Sequence, residues 1–455
     1  MTFFTHDKKF YKSLFAMLVV VALQNLVAYS VNMADNIMLG NYNQDALSGA
    51  ATVNQIFFII QQFAIAIGNA LVVLAAQYWG EKRVEPIKRL TAIAVKLAFL
   101  TGAVVVAICM IFPTQLISIF TNDAAIIGQG TRYLSIVQYT FLLYLITNAL
   151  MAALRAVGTV NISFYISVVS LIVNVAINYT LIFGKFGAPE MGVAGAAIGT
   201  LVARILELII VTIYIYKKDQ KINLMEHGFV KRFFSGDRML RLDYTKTYIP
   251  IMISLVLWGV SVPMQTAILG HLSDDAIAAN SVATTFYQYL KVIVVAMSST
   301  SAVMIGNAIG RGDMQRVKSD ARTLSVIDII IGVVLGVTLM ALRHPLLSLY
   351  HLTDDATQMA LNLIVIMGFI MMGMSYQMPV SMGIIQGAGD PKFTMHMNMI
   401  STWLIVMPLS FMAAFWWKWP VEWVVIVVQS DQVFKCVPTF IHFVRYRWIK
   451  KLTRS

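Results

Sequence analysis

Apolar residues in this chain come in long unbroken runs, not in the two-residue alternation of a half-buried strand. Charges, Gly and Pro divide the runs into twelve segments, over 13–39, 46–79, 87–112, 124–154, 160–184, 191–216, 247–270, 276–309, 317–342, 356–386, 393–417 and 420–444. About 20 apolar residues span a bilayer core. In lipid the backbone must satisfy its own N–H and C=O groups, which leaves helices or a closed barrel. A barrel would alternate over about 10 residues per strand, so the run lengths select helices. The longest runs predict tilt or extension into water. The pattern predicts an all-α polytopic membrane protein with twelve transmembrane helices.

The twelve segments contain an internal repeat. Leu39-Gly40-Asn41-Tyr42-Asn43-Gln44-Asp45-Ala46-Leu47 lines up with Leu269-Gly270-His271-Leu272-Ser273-Asp274-Asp275-Ala276-Ile277 at an offset of 230. The same offset carries Gln77 to Asn307, Gly80 to Gly310 and Lys88 to Lys318. At offset 231, Arg155-Ala156-Val157-Gly158 faces Gln386-Gly387-Ala388-Gly389. Shared Gly and Asp anchors at one offset exclude chance matching of apolar residues. The repeat predicts two pseudo-symmetric six-helix lobes, over 1–216 and 247–455, joined by a connector over 217–246. Six is even, so the halves should share one orientation about an axis along the membrane normal, an architecture of secondary transporters.

Composition strengthens this picture. Of 455 residues, 58% are hydrophobic and 12% charged, with a mean hydropathy of +0.74. Soluble domains carry about 25% charged and 45–50% apolar residues, so an ordinary water-soluble enzyme is excluded. Charge also sets orientation. With both termini on one side, 26 of the 34 lysines and arginines fall in the loops and tails of that side and 4 on the other. By the positive-inside rule both termini are cytoplasmic, in the cell membrane. Lys8, Lys9 and Lys12 precede an apolar run too long for a signal peptide, so that run should be retained as the first helix. The net charge of +12, with the basic connector and Arg445-Tyr446-Arg447-Trp448-Ile449-Lys450-Lys451, suits anionic lipid at the inner face and requires no nucleic acid. Cys109 and Cys436 lie inside apolar runs and read as packing residues. There is no G-x-x-x-x-G-K-[ST], H-E-x-x-H or Cys/His cluster. An enzyme is not expected, and an ion gradient is the available drive.

Particular residues then carry a family resemblance. Met33-Ala34-Asp35-Asn36-Ile37-Met38-Leu39-Gly40 resembles the helix-one motif of the MATE (multidrug and toxic compound extrusion) transporters. Leu154-Arg155-Ala156-Val157-Gly158, Asn174, Ile177-Asn178-Tyr179 and Leu181-Ile182-Phe183-Gly184 resemble its helix-five pattern. Gly187-Ala188-Pro189, Gly192-Val193-Ala194-Gly195-Ala196-Ala197 and Thr200 resemble the start of its helix six. Gln386-Gly387-Ala388-Gly389-Asp390-Pro391-Lys392 resembles the repeated Gly-rich turn, and the whole likeness covers roughly residues 10–445. The resemblance implies a MATE/MOP-type fold, with a cavity between two lobes that opens alternately to either side. It also implies export of small amphipathic, usually cationic compounds in exchange for inward H⁺ or Na⁺. No other cofactor and a monomeric state are expected.

The candidate chemistry centres on Asp35, late in the first apolar run. An ionised carboxylate in a low-dielectric site is costly unless a cation accompanies it. Asp35 can therefore hold a proton, Na⁺ or a cationic substrate, one at a time. Competition for one acid is the physical core of an antiporter. Asn174 and Asn178, four residues apart, share one helical face and can orient that carboxylate or offer oxygens to Na⁺. Tyr139 and Thr200 join them as coupling candidates, and no metal other than Na⁺ at Asp35 is expected. Lys291, Gln61, Gln265 and Tyr376 are candidate cavity residues. Lys291 aligns with Gln61, and Gln265 takes the position of Asp35 in the second half. The resemblance is to the DinF-like branch more than to the NorM-like one. Trp258 and Val380 stand where the latter places acids in the C-terminal lobe. Arg204 with Glu207, and Asp431 with Lys435, read as structural pairs; Asp328 stays open between structure and function. The rival readings are a flippase for lipid-linked oligosaccharides, for which Arg155, Arg204 and Lys291 are few and scattered, and a passive channel or receptor.

Overall fold

A computed structural model describes residues 4–224, 237–270, 274–348, 350 and 352–454. Among them, twelve helices are long and apolar enough to cross a bilayer. They are α1 (Lys8–Tyr42), α2 (Gln44–Gly80), α3 (Val84–Ile111), α4 (Ala124–Ala156), α5 (Asn161–Ile182) and α6 (Val193–Lys217). The second set is α7 (Arg238–Gly270), α8 (Asp274–Gly310) and α9 (Met314–Ala341), then α10 (Asp354–Ile385), α11 (Pro391–Trp416) and α12 (Val421–Val444).

The helix starts repeat the sequence offset: Val84 and Met314, Ala124 and Asp354, and Asn161 and Pro391 each stand 230 positions apart. Even the short helices between spans correspond, Pro113–Ser118 with Arg343–Leu347. Polar side chains cap the starts of α2, α4, α9 and α10. Asn43, Asp123, Asp313 and Thr353 each accept from backbone N–H groups of the first turn that follows, groups no helical carbonyl can reach. The two halves are thus two copies of one six-helix plan.

Two helices start five or more residues before the expected spans. α1 begins at Lys8 instead of 13, and α7 at Arg238 instead of 247. The extra turns of α7 are held by Asp237, whose Oδ1 accepts from Met239 N at 3.1 Å and Leu240 N at 3.1 Å. They are held too by buried Tyr244, which donates to Ile67 O at 2.8 Å. Part of the expected connector, residues 225–236, lies outside the described residues, as do His271, Leu272 and Ser273 of the repeat.

By packing, the chain forms two compact units. One is Leu23–Tyr248; the other joins Met1–Ala22 to Ile249–Ser455. The division therefore falls inside α1 and α7, where the sequence pattern suggested lobes of 1–216 and 247–455. The reason is local for α1. Thr5 N donates to Thr323 Oγ1 at 2.9 Å, Arg316 pairs with Asp7 at 2.6 Å, and Phe10, Leu14 and Leu18 are buried. In the same unit the C-terminal tail folds back. Trp448 is fully buried, Lys450 N donates to Ala388 O at 3.1 Å, and Lys450 pairs with Asp390 at 2.9 Å.

Candidate functional site

Three helices of the N-terminal unit bring polar side chains to the late part of α1. α5 supplies Asn174 and Asn178 one turn apart, so both amides face the same way. α6 approaches α5 closely because it carries small residues on the contact face. A Cβ at Gly195 would lie 2.7 Å from the Leu181 carbonyl carbon, and one at Gly199 would collide with the Asn178 amide oxygen. Close helix contact through small residues is how helices associate in lipid.

The result is a chain of hydrogen bonds. Asn178 Nδ2 donates to Asp35 Oδ1 at 2.6 Å and to Asn174 Oδ1 at 3.2 Å. Asn174 Nδ2 donates to Thr200 Oγ1 at 3.4 Å, and Thr200 donates back to Ala196 O at 3.0 Å. Tyr133, only 4% exposed, hydrogen-bonds Thr200 and lies within electrostatic reach of Asp35. Both Asn residues are buried, and Asn178 Oδ1 has no hydrogen-bond partner. An orphaned buried acceptor is costly. It abuts the α6 backbone at Gly199, so the amide presents its NH₂ side to Asp35.

Arg204 does not close on Asp35. Its guanidinium pairs with Glu207 at 2.8 Å and lies 5.0 Å from the Tyr144 ring centroid, the structural pairing the sequence suggested. It acts on Asp35 through space only. Asp35 is thus a membrane-embedded acid with one direct amide donor and a cation held at a distance.

Four of the five coupling candidates therefore come together: Asp35, Asn174, Asn178 and Thr200. Tyr139 stands apart, 43% exposed; Tyr133, earlier on α4, takes the place expected of it. Sequence reasoning missed Tyr133 because α4 carries three tyrosines and spreads its polar residues over several faces. Gly199 was missed as well, though its spacing from Gly195 is the small-residue signal that could have found it.

Of the cavity candidates, Gln61 and Gln265 are half-buried on α2 and α7. In the C-terminal unit, Lys291 of α8 places its ammonium 5.0 Å from the Trp258 ring centroid, a cation–π contact. Asp431 and Lys435 pair at 2.6 Å, both buried, as expected. The Tyr376 hydroxyl is buried with no hydrogen-bond partner.

Comparison with known proteins gives a consistent result. The "Probable multidrug resistance protein YoeA" of Bacillus subtilis is 23% identical over 411 residues, covering 90% of this chain and 88% of that protein. The "Probable multidrug resistance protein NorM" of Thermotoga maritima is 24% identical over 435 residues, covering 95% and 92%. A solved outward-facing MATE family transporter of the MOP superfamily superposes with a TM-score of 0.86 at 14% identity, over 98% of each chain. A MATE crystal structure in a straight conformation gives 0.85 at 15% identity, over 96% of each. The MatE family pattern matches residues 21–180 and 250–412, one stretch in each repeat, and the chain belongs to that family of membrane transporters.

Proposed function

We propose that the protein is a secondary active multidrug exporter, exchanging amphipathic, cationic compounds for inward H⁺ or Na⁺ by alternating access. The observation that carries this reading is the 2.6 Å hydrogen bond from the buried Asn178 amide to the Asp35 carboxylate, late in a helix long and apolar enough to cross a bilayer. An ionised Asp35 accepts that N–H and can also take a small cation. A protonated Asp35 is neutral and has lost its hold on a cationic substrate. Binding of the coupling ion and of the substrate are then mutually exclusive, which is the condition for exchange. Coupling sits in the N-terminal unit, as in DinF-like members of the family. At the matching offset the second half carries Gln265, Leu404 and Pro408 in place of Asp35, Asn174 and Asn178, and none of these can be an anion.

In this reading both termini are cytoplasmic in the cell membrane, and the protein works as a monomer. Arg445 and Arg447, exposed on either side of Tyr446 just before buried Trp448, meet anionic lipid there. The connector shares that role.

The test is efflux of a fluorescent cationic substrate from proteoliposomes under separately imposed pH and Na⁺ gradients. Asp35→Asn should abolish gradient-driven efflux while the protein keeps its elution profile and helical signal. Unimpaired efflux by that variant would sink the assignment. Saturable counterflow separates an exporter from a passive channel, which has none.

A further inference from the structure

In the C-terminal unit, one membrane-embedded cation has no acid of its own. Lys291 lies at the middle of the 37-residue helix α8, about 25 Å from either end at 1.5 Å per residue. Its ammonium cannot snorkel that far to an interface. Among the described residues it makes neither a hydrogen bond nor an ion pair, and it lies 5.0 Å from the Trp258 ring centroid. Asp431 acts on it electrostatically, but both Asp431 oxygens are engaged elsewhere. Lys435 Nζ donates to Oδ2 at 2.6 Å, and Gln432 Nε2 donates to Oδ1 at 2.8 Å. A charge held in a membrane span without a counter-charge is costly.

The side of α8 that carries Lys291 is built for water. Ser281 and Gln288, two turns apart, are exposed, and Thr284, Thr285, Lys291 and Ser299 are half-buried. At helical spacing these positions share one side of the helix. Ala279, Ala283, Val294 and Met297 lie on the other side and are buried. On α7, Trp258 and Gln265 are likewise two turns apart on one face. A stripe of hydroxyls, an amide and an ammonium through the middle of a span is excluded from hydrocarbon, so this side of the unit meets water.

The fold does not require such a face, because the repeat builds it differently. At the positions of Trp258, Gln265, Gln288 and Lys291 the first half carries Ala28, Asp35, Phe58 and Gln61. One copy has a carboxylate and no cation at these four positions; the other has a cation and no carboxylate. An ammonium is a compact, strongly charged partner for carboxylate, sulfonate or phosphate. An amide adds N–H donors, and an indole suits an apolar body.

We propose that Lys291, with Gln288 and Trp258, forms a binding site in the C-terminal unit for an organic anion, an apolar body bearing a carboxylate, sulfonate or phosphate. The bound anion supplies the counter-charge that Lys291 lacks among the described residues. The site goes beyond the export reading, since Asp35 takes no part in it and binding needs no transport.

The experiment is equilibrium dialysis of radiolabelled naphthoate against the full-length protein in phosphatidylcholine nanodiscs, with empty discs as the blank. Wild type should bind one naphthoate per chain, and the isosteric cation naphthylmethylammonium should not displace it. Lys291→Gln should weaken binding roughly tenfold or more, the worth of a hydrogen bond to a charged group, while Lys291→Arg should retain it. Trp258→Leu should weaken it about threefold, as loss of a cation–π contact implies. If Lys291→Gln is not recovered folded, Trp258→Leu and the cation isostere decide. Phospholipid analysis of the purified protein separates two sources of the anion. Phosphatidylglycerol retained by wild type and lost from Lys291→Gln assigns the site to a lipid headgroup; equal retention assigns it to a free organic anion. No naphthoate bound above the blank would overturn the site, as would binding unchanged in Lys291→Gln or displaced equally well by the cation.

Discussion

Asp35, Asn174, Asn178 and Thr200 were legible in the sequence for different reasons. An acid in an apolar run stands out by cost alone. Two amides at a spacing of four announce a shared face. A tyrosine announces much less, since its ring is at home in a core, at a membrane interface or on a lipid-facing surface. Tyr139 and Tyr133 stand six residues apart on different sides of α4, and the polar residues of that helix fall on several faces, so no periodic pattern says which side meets the polar cluster. The structure separates the two and so makes a prediction. Tyr133→Phe removes one hydroxyl from the Thr200 end of the chain. Loss of one such bond is worth about 0.5–1.5 kcal/mol, so the half-saturating concentration of the coupling ion should rise roughly two- to tenfold. Tyr139→Phe should leave that concentration unchanged. Ion-concentration series in proteoliposomes give both values. Gly199→Ala tests the same site from its back wall. The new methyl must displace the Asn178 amide, so efflux should fall steeply even though alanine is the better helix former.

Helix cores were easier to read than helix ends. Long apolar runs place the middle of every span, but the ends depend on caps and on what the outer turns pack against. The polar sequence 238–246 reads as connector, yet it is helix, because Asp237 caps it and Tyr244 anchors it. The carboxyl of Asp237 is held below its ordinary pKa of 3.8, first by the N–H of Leu240 and then by Arg89 at 3.2 Å. A folded-state value below the unfolded one stabilises the fold fully above about pH 4 and loses that contribution as pH drops further. The melting temperature of wild-type protein should therefore fall more than that of Asp237→Ala below about pH 4. At pH 7 the variant should be less stable by roughly 1 kcal/mol, the usual worth of an N-cap. Thermal unfolding in detergent at the two pH values measures both differences. Equal losses in the two proteins on acidification would show that the cap carries no such linkage.

At the scale of the whole chain, the repeat and the twelve spans were readable because they are set by composition and spacing, which need no tertiary information. The membership of α1 was not. Its first turns carry lysines and apolar residues that would suit either half, and their place is decided by hydrogen bonds to residues more than 300 positions away. Residues 1–22 belong to the C-terminal unit and 238–248 to the N-terminal one, so each unit completes itself with a helix end from the other half of the sequence. A chain cut between residues 225 and 236 should accordingly yield two fragments that need each other. Co-expressed, a tagged fragment 1–230 should retain fragment 231–455 through purification, and each alone should be recovered poorly. Thr5→Val with Asp7→Asn removes the Thr5 hydroxyl bond to Asp320 and the Asp7 pairing with Arg316 without touching a membrane-facing residue. It should lower recovery of the paired fragments several-fold while leaving the uncut protein assembled, because there the covalent link keeps the segment at high effective concentration. Two fragments that purify separately, each as a stable single species, would show that the units divide at the connector after all.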